Sequence, residues 1–302
     1  MAKLAIIGFG NHVIKNILPA LKKIEDLQIV ALYVRDIEKY KTKAQDNQVK
    51  LESVDNLAKT DADWVYISTP ISTHYAFAKQ ALMLKKNVIC EKPLTESVRK
   101  SQELQELAKR QHCILHEVCM YLHHKQYKYL AQLVATNKPK IKSVTARFTI
   151  PHLSKEDIRY RKELAGGALL DVGYYPISIM INLFGRPNSI QSVTHGEEGY
   201  EVELSGSAIL NYEDFYCIAE WGIGLPYANE LNLVLAEEKY QFNRIFSKPA
   251  SLNTTVDLFS GFKHEVIEIG SEDQFVNMFD FLMKNDECCT NFVDIIKTIS
   301  KL

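Results

Sequence analysis

The sequence predicts an α/β chain, with an N-terminal doubly wound parallel sheet followed by an α+β region built on a large, mostly antiparallel open sheet. Three observations carry this. Short apolar runs alternate with helical patterns through residue 119, the signature of parallel βαβ units. From residue 120 onward strand-like runs follow one another with few helices between them. The first apolar run ends on Gly8-Phe9-Gly10, where a strand hands over to a helix. The expected division is therefore 1–119 and 120–302.

Residues 3–7 form a short apolar run that stops at glycine and reads as a buried strand. Ile14, Ile17, Leu18 and Leu21 then recur at helical spacing, with Pro19 as a candidate kink. Residues 28–34, 64–68, 87–90 and 113–118 read as further strands. Residues 74–85 and 95–110 read as helices between them. In the second half, strands are expected at 141–150, 189–194, 205–211, 215–221, 230–236 and 264–269. Asn211 to Asp214 reads as a hairpin turn between two of them. One helix is expected over 167–184, stopped by Gly185 and Pro187, and two more over 272–284 and 291–301.

The composition limits what the chain can bind. Its 302 residues carry 36 Lys plus Arg against 37 Asp plus Glu, a formal charge of -1. Such a balance offers no basic field for nucleic acid or an anionic membrane and favours a small-molecule partner. No apolar run reads as approaching the ~20 residues of a membrane helix, and Met1-Ala2-Lys3 leads into a strand with no signal-peptide pattern. Cys90, Cys113, Cys119, Cys217, Cys288 and Cys289 contain no CxxC pair. They read as buried free thiols of a reducing cytoplasm. His123-His124 are adjacent and no HExxH occurs, so no metal site is expected. His116 is expected to point out of its strand.

Gly8-Phe9-Gly10 suits a dinucleotide pyrophosphate. The first glycine permits the tight turn, and the second lets the backbone approach the phosphates at the helix N-terminus. Asn11 and His12 follow in the first helical turn. A third glycine would fall at Val13, so the fingerprint is incomplete and a looser helix–strand contact is expected there. At the tip of the second strand, Tyr33-Val34-Arg35-Asp36 leaves two options. Asp36 can take a ribose 2′-hydroxyl and Arg35 a 2′-phosphate. Arg35 comes first and can also stack on adenine, which favours NADP over NAD.

Three segments together resemble one family. Ser68-Thr69-Pro70-Ile71-Ser72-Thr73-His74 is similar to its TPxxxH loop, and Cys90-Glu91-Lys92-Pro93 to its EKP motif. Ala165-Gly166-Gly167-Ala168-Leu169-Leu170-Asp171-Val172-Gly173-Tyr174-Tyr175-Pro176 resembles its GGGALxDxGxH stretch. The family is that of glucose–fructose oxidoreductase and inositol dehydrogenase (Gfo/Idh/MocA), and the resemblance covers essentially the whole chain. It implies a Rossmann N-terminal domain, a C-terminal domain whose open sheet makes homodimer or homotetramer contacts, and a Lys92 that reaches nicotinamide and substrate. It also implies a cis Lys92-Pro93 peptide. Ser68, Thr69, Pro70, His74 and Glu91 would line the cofactor. Tyr175 replaces the family's usual histidine, which resembles the branch with a tyrosine there. In Glu117-Val118-Cys119-Met120-Tyr121-Leu122-His123-His124-Lys125-Gln126, Leu122 stands for the usual arginine of an EGxMYRxHPQ segment and Lys125 for its proline.

Carbonyl reduction needs a hydride, which the cofactor supplies, and a proton for the developing alkoxide, which the protein supplies. A free tyrosine titrates near ~10, and a neighbouring ammonium favours its phenolate. Tyr175 with Lys92 nearby can therefore serve as the acid–base pair. Asp171 lies one helical turn before Tyr175 and can hold a substrate hydroxyl or orient Lys92. Pro176 denies the Val172 carbonyl its helical donor, so the helix either kinks or starts late. Tyr121, Arg159 and Tyr174 are candidate substrate contacts. The expected activity is hydride transfer to or from a sugar, sugar nucleotide or cyclic polyol. The alternatives are a trans-dihydrodiol or aldose dehydrogenase of the same branch, or a catalytically silent dinucleotide-binding regulator.

Overall fold

The computed structural model describes residues 1–285 and 290–302. The chain divides into two compact units, Met1–Cys119 with Phe275–Thr290, and Met120–Gln274 with Asn291–Leu302. The C-terminal half is thus not all of one piece: the segment from Phe275 groups with the N-terminal unit. Its aromatic face explains this, since Phe275 lies 5.7 Å edge-on to His12 and Phe279 5.5 Å from Tyr66.

The first unit is a six-stranded, wholly parallel sheet. Its strands are β1 (Ala2–Ile7), β2 (Leu27–Val34), β3 (Leu51–Ser53), β4 (Trp64–Ile67), β5 (Asn87–Cys90) and β6 (Leu115–Glu117). They lie in the order β3-β2-β1-β4-β5-β6, a doubly wound Rossmann arrangement. Every residue of β4 is buried, as a parallel strand covered on both faces requires. The helices are α1 (Leu18–Leu21), α2 (Ile37–Asn47), α3 (Ile71–Met83) and α4 (Val98–Gln111). Between Gly10 and α1 the chain winds as a π-helix over Val13–Ile17. Pro19 follows inside the same unbroken helical run over residues 11–21, and the widened turn lies just ahead of it, where a proline disturbs a regular helix.

The second unit opens with α5 (Lys125–Asn137) and β7 (Ile141–Ile150), and carries α6 (Tyr174–Phe184) before its remaining strands. These are β8 (Ser189–Gly196), β9 (Glu203–Asn211), β10 (Tyr216–Ile223), β11 (Ala228–Leu235), β12 (Glu238–Asn243), β13 (Thr254–Ser260) and β14 (Lys263–Gly270). The chain ends with α7 (Gln274–Lys284) and α8 (Phe292–Ile299). The eight strands run β14-β13-β12-β11-β7-β10-β9-β8, and only the β7–β10 pair is parallel. β9 and β10 close through the expected turn, with the Tyr212 N–H donating to the Phe215 carbonyl at 3.0 Å.

Strand alternation gives this sheet two unlike faces. Val144, Ala146, Phe148, Leu231, Leu233, Ala219 and Trp221 point inward and are buried. Trp221 seats the helical motif on the sheet. A Cβ at Gly206 would lie 2.5 Å from Trp221 Cζ2, and one at Gly173 2.9 Å from its Cγ. Only glycine at both positions lets the indole fit between strand and helix. The outward face keeps Val193, Ile209, Tyr216 and, on the far edge strand, Val266 exposed, and it carries the Arg147–Glu220 ion pair.

One expectation about apolar runs is corrected. Lys162–Phe184 is long and apolar enough, by length and composition, to cross a membrane. Yet 67% of its most apolar window is buried inside the fold, which is the character of a core helix. His116 is likewise fully buried rather than outward, stacked on Trp64 at 6.0 Å.

Candidate functional site

The candidate residues fall into two groups, one in each unit. In the first, they sit on turns that leave the carboxyl ends of β1, β2, β4 and β5, the edge where open parallel sheets bind ligands. Gly8 follows β1 with φ +99°, and a Cβ there would lie 2.2 Å from the Ser68 carbonyl oxygen. The turns after β1 and β4 thus touch backbone to backbone. Gly10 is the opposite case: it is exposed, and a Cβ there would meet nothing within 4 Å. The open space over Gly10, at the start of a helix, fits a pyrophosphate. Asn11 is exposed beside it. Phe9 is not part of that surface, because its ring is buried against Tyr40 at 5.9 Å. Val13 is fully buried where the third glycine would stand, on the π-wound turn.

The 2′ end is sharper than the sequence suggested. Asp36 Oδ1 accepts the Lys39 N–H at 3.0 Å and caps α2. Its carboxylate is committed to the helix N-terminus, the position where an acid is most stabilising. Arg35 is exposed at the strand tip. Exchanging it for alanine is expected to weaken NADPH binding by about 10-fold while sparing NADH, as loss of one charge-assisted contact would. Equal weakening of both cofactors in a fluorescence titration would overturn this.

Around Lys92 the contacts are dense. The Lys92-Pro93 peptide is cis, as the resemblance implied. The preceding Glu91 Oε1 receives the Tyr66 hydroxyl and lies 3.0 Å from His12 Nε2. Burial pushes the Glu91 carboxyl up, but His12, Tyr66 and the charge of Lys92 outweigh it and leave it below the ordinary carboxylate range. Glu117 Oε1 accepts the Leu94 N–H at 2.7 Å and braces the far side of the turn. His74 is buried, with Nδ1 3.0 Å from the Pro93 carbonyl and Nε2 2.8 Å from the Thr69 carbonyl. It clamps the Ser68-Thr69-Pro70 turn to the Lys92-Pro93 turn. Burial holds its pKa below the usual histidine value.

In the second unit Asp171 and Tyr175 are carried by one helical run. Its first part, Leu169–Gly173, is a π-helix, and α6 follows with Pro176 in its first turn. The widened turn resolves the donor that Pro176 lacks. Asp171 Oδ2 receives Arg159 Nε at 2.5 Å, and Arg159 Nη1 reaches Asp157 Oδ1 at 3.1 Å. Arg159 therefore orients Asp171 from a loop twelve residues upstream. Glu203 Oε1 accepts the Leu169 N–H at 2.6 Å, and a Cβ on Gly167 would lie 2.6 Å from the same carboxylate. The second glycine of the motif makes room for that acid at the helix start.

Tyr175 is 8% exposed and sits among Phe148, Phe246, Tyr121 and Tyr174, with ring centroids 4.9 to 6.4 Å away. Its hydroxyl lies 3.9 Å from the Met120 sulfur, a weak partner. Two candidate substrate contacts lie in the interior. The Tyr121 hydroxyl is 2.8 Å from Ser178 Oγ and 3.3 Å from Asn182 Nδ2, in a fully buried position. Tyr174 is fully buried too. Both rings pack against Tyr175. Tyr66, Glu117, Asp157, Phe148, Glu203 and Phe246 were not foreseen. Apart from Asp157, which pairs with Arg159 two residues away, each acts on the site or its turns from a distant part of the chain, a relation no local spacing encodes.

Residues 2–119 match the family described as oxidoreductases with an NAD-binding Rossmann fold, and residues 127–239 match the GFO/IDH/MocA C-terminal domain. A dTDP-3,4-didehydro-2,6-dideoxy-alpha-D-glucose 3-reductase from Streptomyces violaceoruber is 30% identical over 254 residues, which cover 82% of this chain and 74% of that protein. The chain belongs to the Gfo/Idh/MocA family. As a Gfo/Idh/MocA protein it is an NAD(P)-dependent oxidoreductase. A crystal structure of a 3-ketoreductase from Actinomadura kijaniata, in complex with NADP and TDP-benzene, superposes with a TM-score of 0.93 at 25% identity. That match covers 100% of this chain and 96% of the other. A trans-1,2-dihydrobenzene-1,2-diol dehydrogenase from Xenopus tropicalis is 32% identical over 193 residues, covering 62% of this Gfo/Idh/MocA chain and 58% of that protein.

Among the described residues no group of three or more His, Cys, Asp or Glu could hold a metal ion. Among the described residues Cys90, Cys113, Cys119 and Cys217 form no disulfide, and burial pushes the Cys90 thiol far up. Cys288 and Cys289 lie outside the described residues.

Proposed function

We propose that this protein is an NADPH-dependent reductase of a keto group on a nucleotide-linked sugar. The observation that carries the reading is the pair of turns at the carboxyl edge of the first sheet: an open Gly10 cradle after β1, and Lys92 after β5. The 3-reductase relative and the NADP- and TDP-bound neighbour support the substrate class. The exposed Arg35, with Asp36 committed to its helix, supports NADP over NAD.

The bound dinucleotide supplies the hydride. The backbone at Gly8 to Asn11 would hold its pyrophosphate, Arg35 its 2′-phosphate, and the Ser68-Thr69-Pro70 turn its inner end. Lys92 is the proposed group that stabilises charge on a substrate oxygen, and the Tyr175 hydroxyl is the proposed proton donor. Asp171, steadied by Arg159, takes a neighbouring substrate hydroxyl. The aromatic nest around Tyr175 excludes water from its ring. Exchanging Tyr175 for phenylalanine is expected to lower kcat by about 10²-fold with cofactor affinity unchanged. Unaltered turnover would remove Tyr175 from the mechanism.

The reading is tested by following NADPH and NADH consumption with nucleotide-linked ketosugars, free aldoses and trans-dihydrodiols. Turnover of the nucleotide-linked ketosugars with NADPH is expected. Preference for trans-dihydrodiols would favour the second reading, which the amphibian dehydrogenase supports. Preference for a free aldose would favour an aldose dehydrogenase. We further propose a cytoplasmic homodimer or homotetramer joined through the outward face of the eight-stranded sheet, where Val193, Ile209, Tyr216 and Val266 are exposed. Light scattering on the purified protein checks this, and a monomer would exclude it.

A further inference from the structure

His12 belongs to the glycine turn by sequence, but its imidazole is turned to other partners. Asn16 Nδ2 donates to Nδ1 at 3.0 Å, which leaves the proton on Nε2. Nε2 then donates to Glu91 Oε1 at 3.0 Å. The same carboxylate oxygen takes the Tyr66 hydroxyl, and Glu91 directly precedes Lys92. Both ring nitrogens are thus engaged within the protein. The phosphate turn after β1 and the lysine turn after β5 are joined, across the intervening β4, by one side-chain relay.

We propose that His12 is a positioning residue for Lys92: from the glycine turn it holds the Glu91 carboxylate against Tyr66 and so fixes the turn on which Lys92 stands. This rests on the role given to Lys92 above and adds to it a residue that acts without touching substrate. The ionisable groups coupled to Glu91 include His12, Tyr66, His74, Cys90 and Lys92. Burial keeps the Tyr66 and Cys90 protons in place and keeps His74 neutral near pH 7. His12, the Tyr66 hydroxyl and Lys92 are then the groups that stabilise the carboxylate charge against its burial. With His12 in place, the carboxyl stays ionised until the pH falls through a lowered pKa. Without it, burial is less fully offset and the carboxyl takes up its proton at higher pH. Lys92 then loses its neighbouring countercharge and the turn its tether.

The test compares His12→Ala, His12→Gln and Lys92→Ala in the full-length protein, with kcat, KM, NADPH affinity by fluorescence, and the pH profile of kcat/KM. The His12 side chain is 38% exposed, so the fold should survive truncation, and thermal melting confirms it. His12→Ala is expected to lower kcat about 10-fold, with NADPH affinity within about 2-fold, as a misplaced but intact acid would. Its acidic limb should move to higher pH. His12→Gln keeps a donor for Glu91 and should restore most of kcat and the original limb. Two results would overturn the inference: an unchanged kcat and limb in His12→Ala, or a loss confined to NADPH affinity. If Lys92→Ala itself stays active, the reading of Lys92 fails instead, so the two failures are told apart.

Discussion

Lys92→Ala is expected to lower kcat by about 10²–10⁴-fold while NADPH binding stays within about 2-fold, because a positioned acid–base group contributes that much to the chemical step. The lysine stands on a turn held from three sides. Tyr66 and His12 fix Glu91 before it, His74 binds the Pro93 carbonyl after it, and Glu117 takes the Leu94 N–H. Such bracing is what an ammonium needs if it is to meet a developing alkoxide without reorganising. Alanine removes the charge and leaves those braces in place, so the fold should be unaffected. Methionine, of similar length, should be as inactive as alanine. Turnover within 10-fold of the native protein in both would remove Lys92 from the reaction. A parallel loss of NADPH affinity would instead make it a binding group.

The second large effect separates two glycines that look alike in sequence. Gly8→Ala should destabilise the first unit by about 1–3 kcal/mol from its positive φ alone, and by more from the approach to Ser68. The obstacle is a backbone carbonyl 2.2 Å away, which cannot rotate aside as a side chain would. Gly10→Ala meets nothing in the protein, so chemical denaturation should find its stability within about 0.5 kcal/mol of native. Its methyl group would occupy the space left for pyrophosphate, and NADPH affinity should fall by about 10- to 100-fold, the worth of lost charge-assisted hydrogen bonds. Undiminished NADPH binding by Gly10→Ala would mean that the cofactor lies elsewhere. A native-like Gly8→Ala would mean that the two turns are less closely packed.

The fold was legible where hydrophobic pattern and turn chemistry coincide. β7 and β5 fall where the apolar runs end, and the glycine turn announces the edge of the first sheet. Five elements escaped, α2, β3, α5, β12 and β13, and for three of them the pattern shows why. α2 reads Ile-Glu-Lys-Tyr-Lys-Thr-Lys-Ala-Gln-Asp-Asn and buries only Ala44, so it shows no apolar stripe. β12 carries charge at Glu238 and Lys239, and β13 breaks its alternation over Leu258 and Phe259. The two π-wound segments lay outside any pattern based on 3.6 residues per turn. At the site, the motifs supplied Lys92, Asp171 and Tyr175, while their partners Arg159, Glu203 and Phe246 come from loops and strands remote in sequence. Asp36 could have been assigned from sequence: an Asp just ahead of a helix is first of all a cap.

The seating of Trp221 between Gly173 and Gly206 has an optical consequence. The chain has two tryptophans, and each unit holds one. Trp64 lies parallel to the His116 imidazole, with 5° between the planes. Trp221 lies in a buried glycine slot, 1% exposed. The two indoles therefore emit from unlike surroundings, and single Trp→Phe variants turn intrinsic emission into a separate gauge of melting for each unit. The Trp221 signal reports directly on the helix that bears Tyr175.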